Sequence, residues 1–374
     1  MGQCRNVFLF SLCLLAACSG GGGGGGAAQV VAGQRVGVAG GMLQLTTGEL
    51  AGLEIAVPPG ATTAPVQLTV ATSFAQIQPG FSNLSRGILL GPSPREFALP
   101  VAVTLPFEAG RQGRAAVVLA RQQDGRVIEI AGVTEPDTGK VRFQTLNFPA
   151  VYWVAQRLLG WVTTNPQGVF GSTPGFLPLQ TGNRWNFSNG ITITLTASAA
   201  EPNLQGVTVF RLLIETPDQN LGLYLRRIDS PPFAYGPTDV LGEYSTNGGT
   251  DYQEIHDLSL FLPAEVTLGQ PMLSVLPALL YQPYGTAAPT TSATTILRVL
   301  PTGVPPLRTA VGRFDDVFQL DWSMEARAPN GARQSAAVVM TLARGVGPIA
   351  VQVAGIAGVL TSGTVNGQPI QGAN

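Results

Sequence analysis

Apolar and polar residues alternate along much of the chain, in short runs that end at glycine or proline. Leu53 to Val57, Val66 to Val70 and Ile191 to Thr196 each place apolar side chains at every second position. A period of two is typical of strands with one buried face. Asp124-Gly125 and Asn330-Gly331 stand between such runs and predict tight hairpins. We therefore predict an all-β protein.

The turns divide the alternating runs into two groups. The first predicts a β domain over residues 36–156, for which the resemblance given below implies an antiparallel β-sandwich. Residues 157–175 are rich in Gly, Thr, Asn and Pro, and predict a linker. The second group predicts an antiparallel β domain over residues 176–374, for which a second resemblance implies a large curved antiparallel sheet or half-barrel. The apolar run from Val346 to Leu360 is too short to span a membrane and contains Gln352, so it predicts two buried strands.

The start of the chain has a different pattern. Residues 1–17 combine a head carrying Arg5 with an apolar run that ends in small residues, which predicts a secretory signal peptide. Leu15-Ala16-Ala17-Cys18 follows this run and resembles the lipobox of bacterial lipoproteins. Seven glycines, Gly20 to Gly26, come next. We predict that residues 18–35 form a lipidated cysteine with a flexible tether.

The lipobox resemblance implies a location. In bacterial lipoproteins the thiol corresponding to that of Cys18 carries a diacylglyceryl group, and the leader is removed before the cysteine. The resemblance implies that the membrane is a partner of this chain and that the protein lies in the bacterial cell envelope. Ser19, where an aspartate would favour the inner membrane, favours the outer membrane.

Composition narrows the possible functions further. Charged residues make up 11% of the chain and the formal net charge is −1. Binding to nucleic acid requires a basic face, so nucleic acid is not expected as a partner. All three cysteines lie at residues 4, 13 and 18. The mature protein is therefore expected to fold without disulfides, although it is exported.

The predicted sandwich resembles the ZU-five type domain of netrin receptors, ankyrins and bacterial surface proteins. The residues that carry this resemblance are Gly41 with Leu43 and Leu45, Leu53 to Ala61, Phe97 to Pro106, and Asn147 to Tyr152. The resemblance implies an interaction or structural module. Some relatives cleave themselves at a His-Phe-Ser site, where this chain has Asn147-Phe148-Pro149. Without the histidine base and the hydroxyl nucleophile, self-cleavage is not expected.

The second domain opens with Leu177-Pro178-Leu179-Gln180-Thr181-Gly182-Asn183-Arg184-Trp185. This segment resembles a domain of uncharacterised bacterial lipoproteins that is marked by Leu-Pro-Leu-x-x-Gly-Asn-x-Trp. The segment from Leu262 to Gln270 matches this motif in part. The resemblance implies a broad antiparallel sheet, similar to that of periplasmic lipoprotein carriers. Fold alone does not imply function.

Catalytic and metal-binding residues are scarce. His256 is the only histidine, and no Gly-x-Ser-x-Gly motif accompanies it. Two groups of acidic residues lack the spacing of a calcium loop and are interpreted as solvated loops. Their members are Asp239, Glu243, Asp251, Glu254 and Asp257 in one group, and Asp315, Asp316 and Asp321 in the other. We expect no metal, no cofactor and no catalytic residue.

Aromatic residues give the second domain its candidate binding site. Either they pack in an ordinary core, or some line an apolar pocket: Trp185, Phe187, Tyr244, Tyr281 and Trp322. The leading hypothesis is a non-enzymatic, membrane-anchored interaction module, with an envelope protein as its partner. The alternative is a carrier of an apolar ligand in the curved sheet. A hydrolase that uses His256 or the acidic loops is the third hypothesis.

Overall fold

A computed structural model of the chain describes most of the protein from residue 29 onward. The described residues are 29–93, 95–108, 116–135, 138–157, 170–172, 175–198, 209–218, 220–227, 240–247, 253–262, 265–281, 291–331 and 333–373. The signal peptide, the lipobox with Cys18 and the glycine run lie outside them. Most of the predicted linker, apart from Arg157 and residues 170–172 and 175, also lies outside.

The all-β prediction is confirmed. The described segments contain strands, turns and one 3-10 turn at Ser188–Gly190, and no α-helix. Within those segments, no helix has the length and apolar character needed to cross a membrane.

Twelve strands build the first unit. They are β1 (Gln29–Val36), β2 (Gly41–Gln44), β3 (Glu54–Val57), β4 (Val66–Ser73), β5 (Phe81–Asn83), β6 (Gly87–Gly91), β7 (Glu96–Pro106), β8 (Ala116–Arg121), β9 (Val127–Ile130), β10 (Val133–Glu135), β11 (Lys140–Asn147) and β12 (Val151–Arg157). The runs predicted at residues 53–57 and 66–70 coincide with β3 and β4.

These strands form two sheets that face each other. One sheet has the order β10-β11-β7-β3-β2. In the other, β1 pairs with β4, β4 with β6, β6 with β12, β12 with β5 and β8, and β8 with β9. Alternate side chains of both sheets, such as Ile55, Leu68 and Val103, fill one shared apolar core. The first unit is therefore an antiparallel sandwich, as expected.

The sandwich begins earlier than the sequence predicts. We expected residues 18–35 to be tether, but β1 starts at Gln29 and pairs with β4 from Gln29↔Thr72 to Val36↔Val66. Val36 is the one buried side chain of β1. The strand is therefore held by backbone hydrogen bonds, and hydrophobic periodicity gives no sign of it.

Seventeen strands build the second unit. They are β13 (Phe170–Ser172), β14 (Arg184–Phe187), β15 (Thr192–Ser198), β16 (Val209–Glu215), β17 (Asn220–Arg227), β18 (Val240–Asn247), β19 (Gln253–Leu262), β20 (Glu265–Thr267), β21 (Met272–Tyr281), β22 (Thr291–Gly303), β23 (Leu307–Thr309), β24 (Gly312–Phe314), β25 (Val317–Arg327), β26 (Arg333–Ala343), β27 (Gly347–Val353), β28 (Ile356–Val365) and β29 (Gln368–Pro369).

Twelve of these strands form a ring. Successive antiparallel pairs run β14-β15-β16-β17-β18-β19-β21-β22-β25-β26-β27-β28, and β28 returns to pair with β14. The predicted large curved antiparallel sheet is thus present, and its two edge strands pair and close it, whereas in a half-barrel they would stay apart. Hydrophobic periodicity gives the strands, but it does not say which two edges meet.

Side chains fill the interior of the closed sheet. Along β25, Phe318, Leu320, Trp322 and Met324 point inward and are buried, while the residues between them are partly exposed. Buried side chains of β14–β17, β19, β21, β22 and β26–β28 belong to the same cluster. Two strands, β27 and β28, cover residues 346–360 as predicted; β27 is largely buried, whereas β28 alternates between buried and exposed side chains.

The opening motif of the second domain locks the ring where β14 meets β28. The buried Asn183 donates from Nδ2 to the carbonyl of Pro178 at 2.8 Å and accepts the backbone N–H of Asn366 at 2.8 Å. Trp185 donates from Nε1 to the carbonyl of Val346 at 2.8 Å. These bonds tie the loop before β14 to the turns that flank β27 and β28.

The two units are joined by strand pairing as well as by side-chain contacts. β9 of the sandwich pairs in parallel with β21 of the closed sheet, through Met272↔Glu129 and Leu273↔Ile130. On the outer face of β21 and β22, Val275 and Ile296 bury an apolar cluster against Leu146. The hydrogen-bonded sheet therefore continues from one unit into the other.

Candidate functional site

The predicted aromatic lining residues lie in strands of the closed sheet. Trp185, Phe187 and Trp322 are buried members of its core. The rings of Phe261 and Trp322 meet with centroids 5.9 Å apart, in a tilted geometry. Tyr244 lies in β18 and Tyr281 in β21, but their side chains are outside the described part of the structure. The three described rings thus pack as ordinary core residues, and a ligand-lining role stays a prediction.

The lone histidine and the first acidic group lie mostly in strands. His256 is in β19, opposite Leu279 of β21, and its side chain is outside the description. Glu243 is in β18, and Glu254 and Asp257 are in β19. The expectation of a loop is therefore wrong for these three residues. Asp239 and Asp251 lie outside the described residues.

The carboxylates of the second acidic group are paired with neighbouring side chains. Asp315 pairs with Arg313 at 2.8 Å, and Asp316 pairs with Arg344 at 2.5 Å. Asp321 accepts a hydrogen bond from Gln319 Nε2 at 2.7 Å. Within the described segments, no three His, Cys, Asp or Glu side chains are grouped as metal ligands would be.

A polar cleft of about 430 Å³ lies on the first unit and is open to solvent. Three segments form it: the start of β7, the turn between β8 and β9, and the connection from β11 in one sheet to β12 in the other. Its lining residues are Arg95, Glu96, Gln122, Gln123, Asp124, Arg126, Asn147, Phe148 and Pro149. The cleft therefore includes Asn147-Phe148-Pro149, the segment compared above with the self-cleavage site of the ZU-five type domain.

Hydroxyl groups fix the shape of the connection between β11 and β12. The carbonyl of Asn147 accepts hydrogen bonds from Thr145 Oγ1 at 2.6 Å and from the buried Tyr152 hydroxyl at 3.1 Å. Burial raises the pKa of Tyr152 above its ordinary value, so the hydroxyl keeps the proton that it donates. Ser93 Oγ donates to the carbonyl of Phe148 at 2.9 Å. These contacts give the hydroxyls a positioning role.

Charges of both signs surround the cleft. Asp124 accepts the backbone N–H of Arg126 at 3.0 Å and also pairs with its guanidinium, and these contacts lower the pKa of Asp124. Glu96 pairs at 3.1 Å with Arg327, which belongs to the second unit. Arg95 Nε is buried, and no hydrogen-bond partner for it occurs among the described residues.

A buried ion pair lies at the junction of the two units. Glu129 of β9 and Arg157 of β12 are in direct contact, with side chains 3% and 7% exposed. Burial raises the pKa of Glu129, the nearby carboxylate of Glu265 adds to that rise, and the charge of Arg157 opposes it. Burying two charges is costly unless they remain in contact. The pair therefore holds the end of β12 against β9, the strand that pairs with β21 of the second unit.

The sequence predicted only part of this region. The ZU-five resemblance pointed to Asn147-Phe148-Pro149, whereas no sequence pattern pointed to Ser93, Arg95 or Glu129. Residues 91–96 have no alternating pattern, and Glu129 stands in an ordinary apolar strand. The run of Ser93, Arg95 and Glu96 between two strands was the only available signal, and it is a weak one.

Comparison with known proteins adds little. No family model matches the chain, and no curated protein matches it. Solved structures that resemble it include a putative lipoprotein from Parabacteroides distasonis. That match has 10% identity and a TM-score of 0.23, and covers 50% of this chain and 98% of the other. At this level the likeness supports no argument about fold or function.

Proposed function

We propose that this protein is a bacterial envelope lipoprotein, anchored through Cys18, which serves as a non-enzymatic interaction module. The signal peptide, lipobox and glycine run supply the anchor, and Ser19 favours the outer membrane. The proposed partner is an envelope protein that contacts the cleft of the first unit.

The polar cleft is the observation that carries the interaction role. It is open to solvent, it is lined by charges of both signs, and its wall between β11 and β12 is fixed by hydroxyl groups. Charged groups in an open cleft can be matched by complementary groups of a partner, which gives an interaction its specificity. The ion pair between Glu96 and Arg327 also links the cleft to the second unit.

The anchor is tested by mass spectrometry of the N-terminal peptide. The full-length gene and a Cys18→Ser variant are expressed in a bacterium with lipoprotein processing. We expect the wild-type peptide to begin at Cys18 with lipid attached, and the protein to sediment with membranes. The variant should lack the lipid. An unmodified cysteine in the wild-type protein would contradict the anchor.

The contact site is tested by photocrosslinking in living cells. A crosslinking amino acid replaces Gln123, an exposed residue at the cleft, or Gln352, an exposed residue of β27. We expect a discrete protein adduct at residue 123 and none at residue 352. Arg95→Ala should reduce that adduct without reducing the amount of folded protein. Equal labelling at both positions, or an adduct unaffected by Arg95→Ala, would exclude the cleft as the contact site.

A further inference from the structure

Exposed apolar side chains occur on two neighbouring segments of the first unit. Phe74 is 76% exposed and Ile77 is 86% exposed, in the segment that follows β4. Val30 and Val31 of β1, which pairs with β4, are 65% and 45% exposed. We call these four residues the apolar edge. Exposed large apolar residues grouped on neighbouring segments are typical of an interaction surface.

The strand register places the tether beside this edge. Gln29, the first described residue, pairs with Thr72, and Val30 pairs with Ala71. β4 ends at Ser73, immediately before Phe74. The chain that leads from Cys18 therefore enters the fold where Phe74 and Ile77 protrude.

The segment that carries Phe74 and Ile77 is held in place. Ala75, between them, packs against the apolar cluster on the outer face of β8 and β12. Gln78 donates from Nε2 to Oε1 of Gln270 in the second unit at 3.1 Å, and Asn83 donates to the carbonyl of Gln76 at 3.3 Å. The two exposed side chains thus project from a fixed segment.

The segments that carry the edge contain no charged residue. No Asp, Glu, Lys or Arg occurs from Ile55 to Ser85, which covers all of β4 and the following segment. None occurs from Ser19 to Gln34. The exposed ion pair of Arg86 and Glu49 lies beside them, because Gly87 pairs with Ser73. Apolar side chains such as Phe74 lose little on leaving water when this pair stays among the lipid headgroups, because they carry no charge to desolvate.

The length of the tether sets the distance to the membrane. Residues 19–28, ten in all, separate Cys18 from Gln29, and seven of them are glycine. A flexible chain of this length has a reach of roughly 17 Å. A lipid on Cys18 would therefore hold the apolar edge within a protein radius of the bilayer, at a high effective concentration.

We infer that the apolar edge is a membrane-docking surface. In this arrangement Phe74 and Ile77 enter the bilayer interface beside the anchor, with Val30 and Val31 next to them. The lipid on Cys18 attaches the protein to the bilayer, and the apolar edge fixes the orientation of the protein on it. The inference rests on the proposed anchor, and its ligand is a lipid surface of any headgroup charge.

The test uses an environment-sensitive fluorescent amino acid at Ile77. The matched control has the same fluorophore at Val359, an exposed apolar residue of β28. Each full-length gene is expressed, and the processed protein is reconstituted into phosphatidylcholine vesicles with spin-labelled lipids. Interfacial side chains enter about 5–10 Å into the headgroup region, so a shallow spin label should quench residue 77 at least about twofold more than residue 359. Added salt or anionic lipid should leave this ratio unchanged.

A second preparation separates failure of the anchor from failure of docking. Here the thiol of Cys18 in the unmodified mature chain is coupled to a maleimide lipid, so attachment no longer depends on the cell. Quenching at residue 77 in this preparation supports docking, even when the cellular protein carries no lipid. Equal quenching at residues 77 and 359 overturns docking, whatever the state of Cys18. A fluorescence shift that appears only when envelope proteins are added also overturns it.

Discussion

Replacement of Gly347 by alanine should destabilise the closed sheet through a contact with Trp185. Gly347 has a φ of +94°, in the region that favours glycine. A Cβ at this position would lie 2.8 Å from Cζ2 and 3.1 Å from Cε2 of the indole. The ring cannot move away easily, because it is fully buried and its Nε1 is bonded to the carbonyl of Val346.

The magnitude follows from two separate costs. A left-handed conformation costs an L-residue about 1–2 kcal/mol relative to glycine. Forcing an extra carbon into a packed core costs about 1–3 kcal/mol more. The free energy of unfolding should therefore fall by about 2–5 kcal/mol in Gly347→Ala.

Gly345 supplies the matched control. Its φ is +74°, but a Cβ there would meet nothing within 4 Å. Gly345→Ala should lower the free energy of unfolding by the conformational cost alone, about 1–2 kcal/mol. Both variants are unfolded in guanidinium chloride, and the shift in midpoint multiplied by the m-value gives each loss of stability.

Two results would refute this reasoning. If the losses in the two variants agree within about 0.5 kcal/mol, which is the usual scatter between independent sites, the contact with Trp185 has no energetic weight. The second test places Gly347→Ala in a Trp185→Phe background. The smaller ring lacks the atoms that clash, so the alanine should cost less there. An unchanged cost would place the strain elsewhere.

Three further predictions concern polar groups that have fixed partners. Asn183→Ala should lower the free energy of unfolding by about 2–4 kcal/mol, measured by denaturant titration, because a buried carbonyl and a backbone N–H both lose their partner. Glu129→Gln should cost about 3–5 kcal/mol by the same measurement, because Arg157 keeps its charge at a buried site; a more stable variant would contradict the assigned role. Arg327 lowers the pKa of Glu325 below its ordinary value of 4.5, so this carboxylate stabilises the fold above that pH and the effect is lost as the pH falls through the lowered value. Thermal melts from pH 5 to 2 should therefore fall less steeply in Glu325→Gln than in the wild-type protein.

The sequence predicted the features that depend on nearby residues. Alternation located strands such as β3, β4 and β15, and Asp124-Gly125 and Asn330-Gly331 marked real hairpin turns. The run over residues 346–360 forms two strands, β27 and β28, which are separated by a turn at Ala354 and Gly355. Each of these signals lies within about ten residues of the structure that it predicts.

Long-range pairing was beyond the sequence. β14 meets β28 through partners such as Trp185↔Gly363, far apart in the chain, and no periodicity records that choice. β1 was assigned to the tether because its valines face solvent. The candidate cleft shows the same limit, since Arg95 and Asn147 come together only when the sandwich forms.

Closure of the ring has a consequence for how the second unit forms. β28 occupies residues 356–365, so the seam with β14 can form only once the chain has been made through β28. A chain truncated before β28 would keep open edges at β14 and β27, each with unpaired backbone groups. Such edges favour pairing with other chains. The seam thus separates chains that contain β28 from shorter ones, because only the former can cover both edges.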